Sequence, residues 1–430
     1  LYFILLLYVM SILIKNGFIV TQNKNRDIFK GDVYIEGNRI MEIGKNLHHE
    51  ADYMIDASEN IIVPGLINTH THVGMGGFRG LIEDMQLDDF LKRTFDLDSK
   101  RTDDDIYHSS MISIAEMLRN GITSFLDLYY SEDIIASAVK DSGIRGFLSW
   151  VTLDERYTTQ SGSPINNAEN FIIRFKGSER IYPSVGFQGV YVCSDETMMK
   201  GKEIAEKHNT LMHMHLSETR KEVYDFLKRT NKRPVEHLYD IGFLNDKLIA
   251  AHTVWITIRE IKMLGEKMVS SSHNSVSNMK LGTGGAAPIP EMIKYGVNVT
   301  LGTDSNTTNN NLDLFDVMKT SGLLHKNERW DASILKAQEI FDMATINAAK
   351  ALKMEKYLGS VEEGKLADIA IIDPYPNGIP LRKEAIIPNL VYAIKGLNVK
   401  TTIVDGKIVM NDGKLTLYNI EKSINFFKTS

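Results

Sequence analysis

Cysteine is nearly absent. Cys193 stands alone among 430 residues, which excludes an intrachain disulfide and a multi-cysteine zinc site, so a bound metal must be held by histidines and carboxylates. An excess of one charge is lacking too. The chain has 49 Lys and Arg against 55 Asp and Glu, a net charge of −6. With no basic stripe, nucleic acid is not an expected partner. The uncharged stretch 1–14 falls short of the roughly 20 residues that span a bilayer. It also has no basic leading segment and no small-residue cleavage site. Residues 1–9 read as an upstream extension ahead of Met10, with a membrane anchor as the alternative. The protein is expected in the cytoplasm, without a membrane partner. No Gly-x-Gly-x-x-Gly follows an early strand, which speaks against a doubly wound dinucleotide-binding sheet.

What is present is globular in character, with 43% hydrophobic and 24% charged residues. The length suits one large α/β barrel plus an accessory piece. Residues 10–63 read as short strands at 12–20, 31–36 and 40–43 with Asn and Gly turns between them. From 66 the pattern becomes strand, loop, helix, repeated. Eight strands are expected, at 66–72, 122–128, 144–151, 181–192, 211–216, 248–252, 268–273 and 297–304, so the fold class is α/β with a (β/α)8 TIM barrel. Thr102 followed by Asp105 caps a helix that Asn120-Gly121 stops. Residues 73–97, rich in Gly and then acidic, read as a loop over the pocket. Long helices are expected at 312–325 and 333–352. After 360 the β pattern returns, with a strand at 369–372 and a hairpin turning on Asp405-Gly406. The expected division is a barrel over 64–359, with 10–63 and 360–430 pairing into one small β domain beside it.

Reactive side chains of such barrels sit at the C-terminal ends of the strands. Those ends carry His70 and His72, then His213 and His215 with Glu218 beyond, then His252, His273 and Asp304. His70 and His72 stand at i and i+2, so on a strand they point the same way and can share one ion. Any one of these histidines reads equally well as a core residue; the set at one end of a barrel points to a metal site. Three imidazoles and a carboxylate suit one divalent ion, zinc first, with iron or manganese as alternatives. The segment 185–192 has no lysine to bridge a second ion. Such an ion lowers the pKa of water toward neutrality. Asp304 can take the water's proton, His252 can hydrogen-bond the attacking oxygen, and Glu218 can pass a proton between a substrate ring nitrogen and the leaving group. Glu218 also reads as a first-turn acid that complements a helix dipole.

With these residues in place, the chain resembles the amidohydrolase superfamily, and within it the methylthioadenosine/S-adenosylhomocysteine deaminase group with its aminohydrolase and chlorohydrolase relatives. The resemblance rests on PGLINTHTH (64–72), RGLIEDM (79–85), HMHLSET (213–219), AAHTV (250–254), SHNSVSNMKLG (272–282), TLGTDSNTTNNNLDLF (300–315) and EEGKLADIAIID (362–373). It covers residues 10–415. It implies a distorted (β/α)8 barrel with a composite β-sandwich, one metal ion, and hydrolytic deamination of an aminated N-heterocycle. By motif match, His70, His72, His215 and Asp304 would be ligands, and Glu218, His252 and Asp304 catalytic; His213 receives no role. Homo-oligomers, dimers or tetramers, are usual in the group.

The resemblance also nominates substrate-binding positions, and here the chain departs from its relatives. Phe90 stands where they tend to have Trp, Asp98 near a ribose-binding Glu, and Trp150 where an Arg is common. Gln188-Gly189-Val190-Tyr191 replaces a Pro-His-Ser-Pro-Tyr stretch, and His273-Asn274-Ser275 replaces His-Asn-Pro. Glu218 and His273 complete the expected contacts. Loss of polar recognition groups changes substrate preference by orders of magnitude. The leading expectation is therefore a metal-dependent deaminase of an adenosine-like small molecule: methylthioadenosine, S-adenosylhomocysteine, 5′-deoxyadenosine or adenosine. The second is a relative acting on guanine, a pterin, cytosine or a chlorotriazine. The third is an inactive barrel serving as a binding module, against which the retained ligands and Glu218 count.

Overall fold

The computed structural model describes residues 10–85 and 87–429, so both readings of residues 1–9 lie outside the described residues. Two sheets carry the chain. The first draws on both ends: β1 (Ser11–Val20), β2 (Ile28–Glu36), β3 (Arg39–Gly44), β4 (Tyr53–Asp56) and β5 (Ile61–Pro64) precede the barrel. The barrel strands are β6 (Leu66–Thr71), β7 (Ile122–Tyr129), β8 (Arg145–Thr152), β9 (Ile181–Phe187), β10 (Met212–Leu216), β11 (Leu248–His252), β12 (Ser270–His273) and β13 (Asn298–Leu301). The chain then returns to the first sheet with β14 (Ile369–Ile372), β15 (Val399–Val404), β16 (Lys407–Asn411) and β17 (Lys414–Leu415).

The mixed sheet runs β17-β16-β15-β14-β5-β1-β2-β3, with β4 also on β1. The two chain ends meet where β14 pairs antiparallel with β5, Ile371 opposite Ile62. Period-2 alternation turns Ile12, Ile14, Val33, Ile35, Ile62, Ile369, Ile371 and Ile403 into one apolar cluster. Asp405 and Gly406 both have positive φ, 51° and 73°, as a type I′ hairpin turn requires.

The second sheet is parallel and runs in sequence order from β6 to β13. Strands such as β7 are buried along their whole length, because helices cover the outside and other strands the inside. Among the described residues no ladder joins β13 to β6. Instead the Asp304 N–H donates to the His70 carbonyl at 2.9 Å, the Thr303 N–H to Asn68 Oδ1 at 3.0 Å, and Thr69 Oγ1 to the Leu301 carbonyl at 2.9 Å. The barrel is closed by side chains and one backbone bond. A bulge stands beside that seam: Asn68 pairs with Phe125 and Thr71 with Asp127, three steps on β6 against two on β7.

Two sequence expectations are corrected. Residues 73–97 are not one loop; they form a 3-10 turn, Val73–Phe78, and the helix Leu87–Asp98. Phe90, Thr94 and Asp98 recur every fourth residue and line a cavity, so the apolar face of this helix is half polar and its period is weak in the sequence. The helix expected at 333–352 is two, Ala337–Met343 and Ile346–Ala351. Between them the Ala344 carbonyl leaves the helical ladder to accept the Ile67 N–H at 2.9 Å, and Thr345 adopts φ −130°, ψ −95°. The expected Thr102 cap forms: Thr102 and Asp105 make a reciprocal capping box on the helix Asp103–Arg119.

Candidate metal centre and active site

At the C-terminal ends of the barrel strands, hydrogen-bond polarity decides what the imidazoles offer. His72 Nδ1 lies 2.5 Å from the Leu128 carbonyl oxygen, and His215 Nδ1 lies 2.9 Å from the Gln188 carbonyl oxygen. A carbonyl only accepts, so each Nδ1 carries a proton, which in a neutral imidazole leaves Nε2 a lone pair. These two Nε2 atoms face one another at 3.3 Å. His70 Nε2 is buried without a partner. Asp304 Oδ1 stands 3.4 Å from His72 Nε2 and 3.8 Å from His70 Nε2. Acceptor nitrogens turned toward each other beside a carboxylate lack a positive group between them. The donor set therefore fits a divalent cation, and His70, His72 and His215 lie within ligating reach of one another, as do His70, His252 and Asp304.

The electrostatics agree. Burial, reinforced by the neighbouring imidazoles, holds His70 and His215 well below the usual histidine value, and burial takes His213 down to about 3. Neutral imidazole is the form that ligates. Burial pushes Asp304 the other way, but His72 and His252 outweigh it and its carboxyl sits below the ordinary range. Asp304 is also fixed in place: Ser277 Oγ donates to Oδ2 at 2.6 Å and the Ser305 N–H to Oδ1 at 2.7 Å.

His252 stands at the edge of this cluster with φ +74°. That is the left-handed region, which histidine enters more readily than most side chains. Its Nδ1 donates to Asn278 Oδ1 at 2.8 Å, and its Nε2 lies 3.8 Å from Asp304 Oδ2. Burial lowers the His252 pKa, but the Glu218 and Asp304 carboxyls outweigh it, and the ring is more basic than usual. Glu218 Oε1 lies 3.8 Å from His252 Nδ1, and burial raises its pKa. Glu218 precedes the N-cap Thr219 of the helix Arg220–Thr230. The dipole-complementing acid of the first turn is Glu222, whose carboxyl accepts the N–H groups of Ser217 at 3.0 Å and Glu218 at 2.8 Å. Burial and the Glu218 charge push Glu222 up to about 7. Glu218 is thus free of a capping duty.

A cavity of about 640 Å³ opens above these groups, with His72, His215, Glu218, His252 and Asp304 on its floor. Phe90, Asp98, Tyr129 and Tyr191 stand on its walls. Asp98 is engaged by Tyr129 Oη and by Arg101 Nη1. Trp150 and His273, expected at the substrate, are not part of this lining. Strand parity is the reason: Val151 faces the cavity, while Trp150 turns outward, tilted on Phe171 at 5.7 Å between rings. Trp150 Nε1 still donates to Gln160 Oε1 at 2.8 Å, and Gln160 does line the cavity. His273 likewise turns outward, with Nε2 3.1 Å from Nε2 of His325 on the helix Leu314–Arg329. Ser277, Asn278 and Glu222 escaped the sequence reading. The first two lie inside SHNSVSNMKLG, and their spacing on a helix opening directly after a strand end was the available signal.

The model of the amidohydrolase family matches residues 61–409. The chain belongs to the amidohydrolase family. This amidohydrolase is 40% identical to a 5-methylthioadenosine/S-adenosylhomocysteine deaminase of Thermococcus onnurineus over 94% of this chain and 95% of that one. It is 39% identical to a 5′-deoxyadenosine deaminase of Methanosarcina mazei over 96% of each chain. Among solved structures, an adenosine deaminase from Xanthomonas campestris with bound zinc superposes with TM-score 0.93, at 26% identity over 98% of this chain and 97% of that one. A zinc complex of atrazine chlorohydrolase from Arthrobacter aurescens reaches TM-score 0.87 at 22% identity, over 97% and 99% of the two chains, and shows the fold alone. The family and the cluster support a divalent metal ion. Among the described residues no helix is long and apolar enough to cross a membrane.

Proposed function

We propose that this amidohydrolase is a metal-dependent hydrolytic deaminase that releases ammonia from an adenosine-like compound: methylthioadenosine, S-adenosylhomocysteine, 5′-deoxyadenosine or adenosine. Its ligands are His70, His72, His215 and Asp304, and its ion is a single zinc. The observation that carries the reading is the cavity floor, where acceptor-only imidazole nitrogens, a carboxylate, a basic His252 and a Glu218 of raised pKa converge. The names of the curated relatives support the purine nucleoside. The barrel 64–359 performs the chemistry, and the segments 10–63 and 360–430 brace it.

When bound, the ion supplies Lewis acidity that brings the pKa of a water toward neutrality. Glu218, whose pKa burial raises, gives a proton to the ring nitrogen beside the amine-bearing carbon while the water oxygen bonds to that carbon. Asp304 Oδ2 takes one water proton and returns it to the departing amine. His252 Nε2 hydrogen-bonds the attacking oxygen, held there by Asn278. The C–N bond then breaks and ammonia leaves. The new carbonyl forms as its hydroxyl proton passes back to Glu218, and the donated proton stays on the ring nitrogen. Phe90, Tyr129 and Tyr191 give the ring and sugar apolar walls, and Asp98 is placed for ribose hydroxyls.

The test is ammonia release by zinc-loaded protein from adenosine, 5′-deoxyadenosine, methylthioadenosine, S-adenosylhomocysteine, guanine, cytosine and a pterin. Release from the adenosine-type compounds is the expected result. Turnover confined to guanine, cytosine or the pterin would overturn the substrate assignment.

A further inference from the structure

His213 is the one strand-end histidine of the barrel interior without a role. It is fully buried on β10, two residues before His215. Its Nδ1 lies 3.3 Å from the Asp127 backbone carbonyl oxygen and 3.5 Å from Ser149 Oγ. The Asp127 carbonyl only accepts, so Nδ1 carries the ring proton. His70 Nε2 is buried without a partner, within reach of His72 and His215, so the proton of His70 lies on the Nδ1 that faces His213. His213 Nε2 is then a bare lone pair.

That lone pair lies 2.9 Å from His70 Nδ1, with the two rings nearly perpendicular at 89°. His70 must donate, so its own Nε2 is unprotonated and faces the metal cluster. His72 and His215 receive the same instruction directly from backbone carbonyls. At His70 an imidazole relays it from the Asp127 carbonyl. On the other side Gly302 lets the backbone pack against His70, since a Cβ there would stand 2.8 Å from His70 Cβ. The close approach of Gly302 leaves no room to move at the His70 Cβ, and the His213 hydrogen bond orients the ring beyond it.

We propose that His213 is a positioning residue for the metal centre, fixing the tautomer and the plane of His70 and through them the affinity for the ion. The inference rests on the ligand reading proposed above. Partners of this kind change metal affinity by about 10–100-fold when removed.

Two polar variants separate the acceptor from the ring. The Oε1 of Gln occupies the place of Nε2, whereas Asn reaches only the place of Nδ1. Zinc affinity measured by chelator competition should be close to the parent's in His213→Gln and weaker by about 10–100-fold in His213→Asn. Equal affinity in all three proteins overturns the inference. So does a Gln variant as weak as the Asn one, because the acceptor is what the relay requires. If the variants do not fold, the parent decides: in metal-free protein labelled with ¹⁵N-histidine, two-bond ¹H–¹⁵N couplings should report His70 protonated at Nδ1, and protonation at Nε2 overturns the relay. A parent that binds no zinc would instead defeat the functional reading itself, whatever His213 does.

Discussion

Asp368→Ala should destabilise the protein without touching its chemistry. Arg145 opens β8 at the end of the barrel opposite the metal cluster, and its guanidinium is 1% exposed. It donates through Nη2 to Asp368 Oδ1 at 3.0 Å and through Nε to Oδ2 at 3.3 Å. Asp368 also accepts the Asp405 N–H at 2.8 Å, while its own carbonyl accepts the Gly65 N–H at 2.9 Å. The pair joins the barrel to the mixed sheet. Removing one partner of a buried ion pair strands the other charge, at a cost of about 3–5 kcal/mol. Asp405 Oδ1, 3.4 Å from Arg145 Nη2, remains as a weaker counter-charge, so the low end, about 3 kcal/mol, is expected. An unfolding entropy of about 2.1 cal/mol/K per residue gives about 0.9 kcal/mol/K for 430 residues. The melting temperature should therefore fall by about 3 °C if the chain unfolds in one transition. Differential scanning calorimetry reads this directly, and kcat at 25 °C should equal the parent's. The double variant Arg145→Met with Asp368→Leu should recover most of the loss, because the buried guanidinium is gone and Asp405 keeps Arg180 Nη1 at 3.8 Å. An unchanged melting temperature in Asp368→Ala, or a double variant less stable than the single, would mean that the Arg145–Asp368 pair does not tie the barrel to the mixed sheet.

Three further outcomes concern the site. Glu218→Gln should keep the metal and lose turnover by about 10²-fold or more, the usual size of a general acid–base loss; unchanged kcat would remove Glu218 from the proton path. Asp304→Ala should lower both zinc stoichiometry, measured by elemental analysis, and turnover, whereas full zinc with normal rates would place the carboxylate outside the centre. Asn278→Ala frees the His252 ring and should cost up to about 10²-fold in kcat, since small misplacements of a reacting group have effects of that size. Asn278→Asp keeps an acceptor at Oδ1 and should recover part of that rate; an Ala variant as fast as the parent would separate His252 from the reaction.

Local pattern alone determined much of this protein. The eight barrel strands, the capping box at Thr102 and Asp105, and the turn at Asp405-Gly406 depend on neighbours a few residues away, so they are written in the order of residue types. So is the alignment of His70, His72, His215, His252 and Asp304 at one end of the barrel, because a (β/α)8 topology sends every parallel strand the same way. Other features depend on atoms far off in the chain, which only folding brings together. The helix over 333–352 breaks because the Ile67 N–H takes the Ala344 carbonyl. Trp150 and His273 turn away from the cavity because strand parity, not proximity in sequence, aims a side chain. The face of the helix Leu87–Asp98 is half polar because it borders a cavity. Each proposed ligand nitrogen of His72 and His215 is free for an ion because a carbonyl from another strand end, Leu128 or Gln188, claims the proton on the far side of the ring, and in our proposal the Asp127 carbonyl does the same for His70 through His213. A sequence can place three imidazoles at one rim; which nitrogen carries the hydrogen is settled by acceptors that the fold brings from tens of residues away.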